Sequence, residues 1–245
     1  MSVIGIVGGV GPYAGLHLFK NILDQTAVRT DQEHLPIVMF SFPHLIRDRT
    51  EYLTGQLQEN PGVSLSHIIE KLQRCGASVI GIPCNTAHAL PIWQEITKNV
   101  SKDVILLNMI EETVKHIKKC HPQIKRVGVL STTGTFNEKL YTSYLSQYEL
   151  ESIEVSPRLQ KEYIHPAIYH KSYGIKSNPL SLIKAKEKLQ HGIDFLVENG
   201  AEAIILGCTE LSLVFPEEPQ GTLPIIDSTT RLAHSLVTEF QRSNL

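Results

Sequence analysis

Apolar residues along the chain fall into short β-branched runs that end at glycine or a small polar residue. Each run leads into a longer stretch with helical spacing. Residues 3–8 read as a first strand, followed by the turn Gly8–Gly15 and an amphipathic helix to about Thr26. Residues 37–40 read as a second strand. Residues 44–62 have no clear period and read as a long loop, the kind of segment that serves as a lid or binding loop. A helix over 64–74 feeds a strand opening at Gly76, and a helix over 87–99 follows. After a short strand at 104–107 comes a strand over 126–131 and a polar helix to about Ser146. Residues 151–179 are irregular. A helix over 180–198 leads to a strand opening at Gly200, and the Pro- and Gly-rich stretch 215–223 joins it to a last strand and helix. Strands that are apolar on both faces and alternate with helices predict an α/β fold built on parallel sheets.

Two of these strands are near copies. Gly76-Ala77-Ser78-Val79-Ile80-Gly81-Ile82-Pro83-Cys84-Asn85-Thr86 and Gly200-Ala201-Glu202-Ala203-Ile204-Ile205-Leu206-Gly207-Cys208-Thr209-Glu210 each open on Gly-Ala. Each reaches a cysteine eight residues later. The cysteines are 124 positions apart, Gly5 and Gly128 in matching strands are 123 apart, and Asn108 and Asp227 at two further strand ends are 119 apart. A period this long is no solenoid repeat. It predicts two pseudo-symmetric open-sheet α/β domains with the active site in the cleft between them. Each cysteine would lie just past the carboxyl end of a strand, where open α/β sheets bind ligands.

Charge and composition narrow the function. With 23 basic against 25 acidic side chains there is no basic tract for nucleic acid and no acidic tail. No run approaches a membrane span, and the first residues read as a strand and not a signal peptide. Four cysteines in 245 residues do not form a disulfide framework, which points to a reduced, cytoplasmic protein. Cys75 and Cys120 are expected to be packing residues. The scattered histidines, with His165 and His170 five apart, give no metal site.

The chemistry gathers at the strand ends. Gly9-Val10-Gly11-Pro12-Tyr13-Ala14 fits the dinucleotide fingerprint, but Pro12 removes one N–H from the phosphate cradle and no acidic residue follows the second strand. Two readings remain: a tight strand–helix turn, or a close approach of the backbone at Gly9 and Val10 to a small anion at a helix N-terminus. Arg47 and Arg49 could present a guanidinium fork to a carboxylate, or be solvated charges. A helix starting behind each of Cys84 and Cys208 is expected to lower the thiol pKa toward neutrality. Asn85, Thr86 and Thr209 beside them are carboxylate-binding groups. Two thiols facing one carbon suit proton removal from one face and delivery to the other. C-x-x-C redox chemistry is absent, and a cysteine protease would leave one thiol unexplained. A single-cysteine isomerase or decarboxylase of a dicarboxylic acid, and a non-catalytic two-lobed binder of an acidic metabolite, stand as alternatives.

The motifs GIVGGVGP (5–12), DQEH (31–34), DRT (48–50), PCNTAH (83–88), MIEET (109–113), TTGT (132–135), GCTE (207–210) and PIID (224–227) resemble the aspartate/glutamate racemase family, in its aspartate-racemase-like branch. The resemblance implies a homodimer that racemises a small amino acid, aspartate or glutamate, without pyridoxal phosphate or metal. It implies Cys84 and Cys208 as the acid–base pair. Asn85, Thr86, Thr133 and Thr209 would hold the amino-acid head, Arg49 a side-chain carboxylate, and Lys176, in Gly174-Ile175-Lys176, the family's lysine. It also implies domains over 1–102 plus 222–245 and over 103–221, the last strand and helix returning to the first. Val10 in place of methionine, Ser41 and Phe42 in place of asparagines, and the extra Arg47 depart from the family pattern near the side-chain pocket.

Overall fold

The computed structural model describes residues 2–178, 182–215 and 223–243. Most of the Pro- and Gly-rich stretch, including the expected boundary at 222, lies outside the described residues. The chain divides into two compact units, Met1–Glu112 with Thr229–Leu245, and Thr113–Ser228.

The first unit holds strands β1 (Val3–Gly8), β2 (Ile37–Ser41), β3 (Ala77–Gly81) and β4 (Ile105–Leu106) in the order β2-β1-β3-β4, all parallel. The second holds β5 (Arg126–Ser131), β6 (Glu151–Glu154), β7 (Ala203–Gly207) and β8 (Ile225–Asp227) in the matching order β6-β5-β7-β8, again parallel. The family resemblance sends the last strand back to the first domain. In the structure β8 hydrogen-bonds to β7, with Ile204 opposite Ile225 and Leu206 opposite Asp227.

Helices α1 (Pro12–Asp24), α2 (Arg49–Leu53), α3 (Pro61–Arg74), α4 (Leu90–Thr97) and α5 (Met109–Cys120) follow the first strands. Next come α6 (Thr133–Asn137), α7 (Leu140–Gln147), α8 (Pro157–Leu159), α9 (His165–Tyr169), α10 (Ile183–Glu198) and α11 (Ser228–Ser243). The matched glycines of the central strands have one role. A Cβ on Gly5 would come within 2.9 Å of Ala77 Cβ, and one on Gly128 within 2.6 Å of Ile204 Cδ1. Both distances are below van der Waals contact, so these strands carry glycine where neighbouring side chains crowd the backbone. The core of the first unit includes Leu65, Ile69, Leu72 and Ile80, and that of the second Leu189, Ile193, Leu196 and Ile204, all buried.

Several segments are more regular than their pattern suggests. The loop expected over 44–62 contains α2, because the Asp48 side chain caps it by accepting from Thr50 N–H at 2.8 Å and Glu51 N–H at 3.0 Å. Asn60 likewise caps α3, accepting from Gly62 N–H, so that helix starts at Pro61. The expected polar helix is two pieces, broken where Lys139 takes a left-handed φ of 48°. The irregular region begins with edge strand β6. It continues as one helical run over 157–169, whose middle, Gln160–Ile164, is a π-helix. Pro166 and the polar ends of β6 hid this from a reading by period. Cys75 and Cys120 are exposed, not packed, because each stands at or just past the last turn of a helix.

Candidate active site

In the first unit, β1 and β3 run side by side with Ile6 opposite Gly81, so the segments after them emerge from the same edge of the sheet. After β1, Gly9 takes φ +84°, and a side chain there would press on the backbone of Phe42 and Pro43. Val10 is buried, and its carbonyl accepts from Arg49 Nη2 at 3.2 Å. Arg49 is no surface charge: it is 9% exposed, and Nη1 also donates to the Arg47 carbonyl. Helix α2, which Arg49 starts, lies against the turn Asn85–His88 that follows Cys84. The structure thus gathers Gly9, Val10, Arg49, Cys84, Asn85 and Thr86, and buries all six. Arg47 does not join them. Its Nε donates to Glu59 at 2.8 Å in an exposed pair.

His88 was visible in the sequence only as the end of PCNTAH. It is buried, stacks on Trp93 with ring centroids 4.7 Å apart, and locks the backbone at Cys84. Nδ1–H donates to the Cys84 carbonyl at 2.9 Å, and Nε2 accepts from Met109 N–H at 3.2 Å. One nitrogen donates and the other accepts, so the ring is the neutral Nδ1–H tautomer. Burial lowers its pKa to about 4. The unfolded chain takes up this proton near pH 6.5, so the stability it confers is present above that pH and is lost as pH falls toward 4, about 3 kcal/mol in all. His88→Gln is expected to be less stable at pH 7. Between pH 7 and pH 5 it should lose about 2 kcal/mol less than the parent in urea unfolding. An equal loss in both proteins would mean that His88 is not the acid-labile group.

In the second unit, Ser131 pairs opposite Gly207, which sets Thr132 and Thr133 beside Cys208 and Thr209. Thr132 caps α6 by accepting from Thr135 N–H. Thr133 Oγ1 lies 2.9 Å from His165 Nδ1 and accepts from Gln160 Nε2 at 3.3 Å. His165 stacks on Tyr169, and Lys176 Nζ lies 5.8 Å from the Tyr169 ring centroid. Gly174 has no room for a side chain, since a Cβ would come within 2.6 Å of His170 O. The tight turn there buries Ile175 and presents Lys176.

Lys176, Cys208 and Thr209 meet at Glu210, which sequence reasoning placed within GCTE without giving it a role. It is 6% exposed. Oε1 pairs with Lys176 Nζ at 2.5 Å, and Oε2 accepts from Cys208 Sγ at 3.1 Å and Thr209 Oγ1 at 3.2 Å. Burial alone would raise the Glu210 carboxyl, but Lys176 holds it below the usual carboxylate range. For Cys208 the balance is reversed. Burial pushes the thiol well up, the Glu210 charge pushes it further, and Lys176 offsets only part. The expectation of a thiol lowered by a helix N-terminus therefore fails at Cys208. Behind this cysteine lies only the five-residue 3₁₀ turn Thr209–Leu213, and a carboxylate sits two residues away. The resting contact is a thiol donating to a carboxylate.

Among the described residues no three His, Cys, Asp or Glu side chains form a group that could hold a metal, and no helix is long and apolar enough to cross a membrane.

Paired α/β units with four-stranded parallel sheets are a fold that known proteins share. Residues 7–236 match the family described as Asp/Glu/Hydantoin racemase, and the chain belongs to that family. Relatives that the chain matches are named as racemases, a class of isomerase. Over 97% of its length the chain is 27% identical to the broad specificity amino-acid racemase RacX of Bacillus subtilis, covering 98% of that protein. Its fold matches the Picrophilus torridus aspartate racemase with a TM-score of 0.81 and 29% identity, over 98% of this chain and 95% of the other. An aspartate racemase homologue from Pyrococcus horikoshii shares the fold, with a TM-score of 0.73 and 21% identity over 98% and 100% of the two chains.

Proposed function

We propose that the protein inverts the α-carbon of a free amino acid, aspartate or glutamate first, using Cys84 and Cys208 as the two acid–base groups. The observation that carries this reading is one buried cysteine at the matching strand end of each unit, Cys84 beside Asn85 and Thr86, and Cys208 beside Thr209. The relatives named for aspartate and broad-specificity racemisation support the substrate class.

The step balances simply. A thiolate takes the α-proton, the C–H electron pair stays on the α-carbon, and the other thiol gives its proton to the opposite face. In the reverse direction the roles exchange. Cys208 rests as the protonated partner, kept so by burial and Glu210. Arg49 offers its guanidinium to a side-chain carboxylate, and Asn85, Thr86, Thr133 and Thr209 bind the amino-acid head. Lys176 is the second cation. At rest it is held by Glu210, so a substrate carboxylate must compete with Glu210 for it.

The test is proton NMR of the α-position in D₂O without pyridoxal phosphate or metal, on L- and D-aspartate, glutamate and a set of neutral amino acids. Loss of the α-proton signal with appearance of the other enantiomer is expected for at least one of them. No exchange with any would end the racemase reading and turn attention to a dicarboxylic acid as substrate.

A further inference from the structure

We propose that Gln160 receives the α-ammonium group of the substrate, and so acts as a residue that selects amino acids over their deaminated counterparts. The identity of the ligand rests on the racemase reading; the geometry does not. Gln160 is 3% exposed. Its Nε2 donates to the Ser131 carbonyl at 3.2 Å and to Thr133 Oγ1 at 3.3 Å. These bonds fix the amide's orientation, because turning it over would set Oε1 against a carbonyl oxygen. Oε1 is then a buried acceptor with no hydrogen-bond partner among the described residues.

A buried acceptor calls for a donor. Here the amide is tied to the carboxyl end of β5 and to Thr133, which the register of β5 with β7 sets beside Cys208 and Thr209. A group bound at the Thr133 hydroxyl therefore lies within reach of the same amide. The backbone adds a second observation. Gln160 is the first residue of the π-helix Gln160–Ile164, inserted in the run over 157–169. Single π-turns of this kind concentrate at functional sites. Of the groups common to every free amino acid, the carboxylate only accepts hydrogen bonds and the ammonium only donates them. An acceptor at this position fits the ammonium. It contributes the same bond whatever the side chain, so it supports head recognition and not side-chain choice.

The experiment compares aspartate with succinate, the same skeleton without the ammonium group, by calorimetric titration of the parent and of Gln160→Met. A lost charge-assisted hydrogen bond weakens binding about 10- to 100-fold. That loss is expected for aspartate, with KM rising more than kcat falls, while succinate affinity stays within about twofold. Gln160→Leu serves as a second variant should methionine prevent folding. Unchanged aspartate affinity, or an equal loss for both ligands, would overturn the proposal. The two readings fail separately. A parent protein that binds aspartate without exchanging its α-proton sinks racemisation yet leaves the Gln160 comparison readable. A racemising parent whose Gln160 variant keeps its KM sinks this proposal alone.

Discussion

Cys84→Ser and Cys208→Ser, made separately, are each expected to lower the rate of inversion by about 10²- to 10⁴-fold, the usual worth of a positioned acid or base. Serine nearly preserves volume at these buried positions, and its hydroxyl is a far weaker acid than a thiol. The fold should survive while the proton handling does not, and a thermal melt checks the first part. The sharper result is an asymmetry. With one thiol left, exchange in D₂O should persist from the enantiomer whose α-proton faces that thiol and vanish from the other. The two variants should show opposite preferences. Racemisation at the parental rate by either variant would remove the two-base assignment. The same enantiomer exchanging in both variants would remove the opposed-face geometry. Cys75 and Cys120, both exposed, serve as internal controls, and their serine variants should racemise normally.

The second large effect is expected at Glu210. Replacing it with glutamine removes the charge that keeps the Cys208 thiol protonated but leaves Lys176 in place. The thiol pKa should therefore fall. In the parent, the stability linked to a raised thiol pKa is present below the unfolded value near 8.5 and is lost as pH rises above it. In Glu210→Gln that alkaline loss should shrink. Kinetically, the variant is expected to lose about tenfold to a hundredfold in kcat/KM, with the basic limb of its pH profile moved to lower pH. Alkylation of Cys208 at pH 8, read by mass spectrometry of its own peptide, should become faster. An unmoved pH profile together with unchanged Cys208 alkylation would show that Glu210 only props the local structure.

The duplicated architecture was legible because it is written in backbone chemistry. Apolar runs bounded by glycine specify buried parallel strands, and the equal Gly-to-Cys spacing marks the two units. Gly5 and Gly128 recur because side-chain crowding leaves no space for a Cβ at either position. The motifs contained Thr133, Thr209 and Lys176; the structure sets Thr209 and Lys176 against Glu210 and Thr133 against His165 and Gln160. The features that escaped depend on three-dimensional neighbours. Asp48 makes a helix within an aperiodic loop through two hydrogen bonds. His88 lies four residues after Cys84, a spacing that could have signalled a return to its carbonyl, but the second contact, from Met109, is nonlocal. Glu210 was in plain view, yet its influence on Cys208 depends on burial and on Lys176 arriving from 34 residues away. Gln160 gave no signal, since nothing in the pattern marks a π-turn.

One consequence of the chain's path concerns the order in which the protein can be completed as it is synthesised. Helix α11 belongs to the first unit, although the strand just before it belongs to the second sheet. Leu232, Leu236 and Phe240 of that helix pack in one core with Ile4, Ile6, Leu18, Ile22 and Val79. The first sheet therefore leaves the ribosome before the second and yet gains its cover only after the second sheet has its strands. Until translation reaches the final helix, one apolar flank of the first sheet lacks its cover, while the second sheet has all four of its strands as soon as β8 emerges. The second sheet can thus be complete before the first unit is, and α11 is the element that closes the first unit.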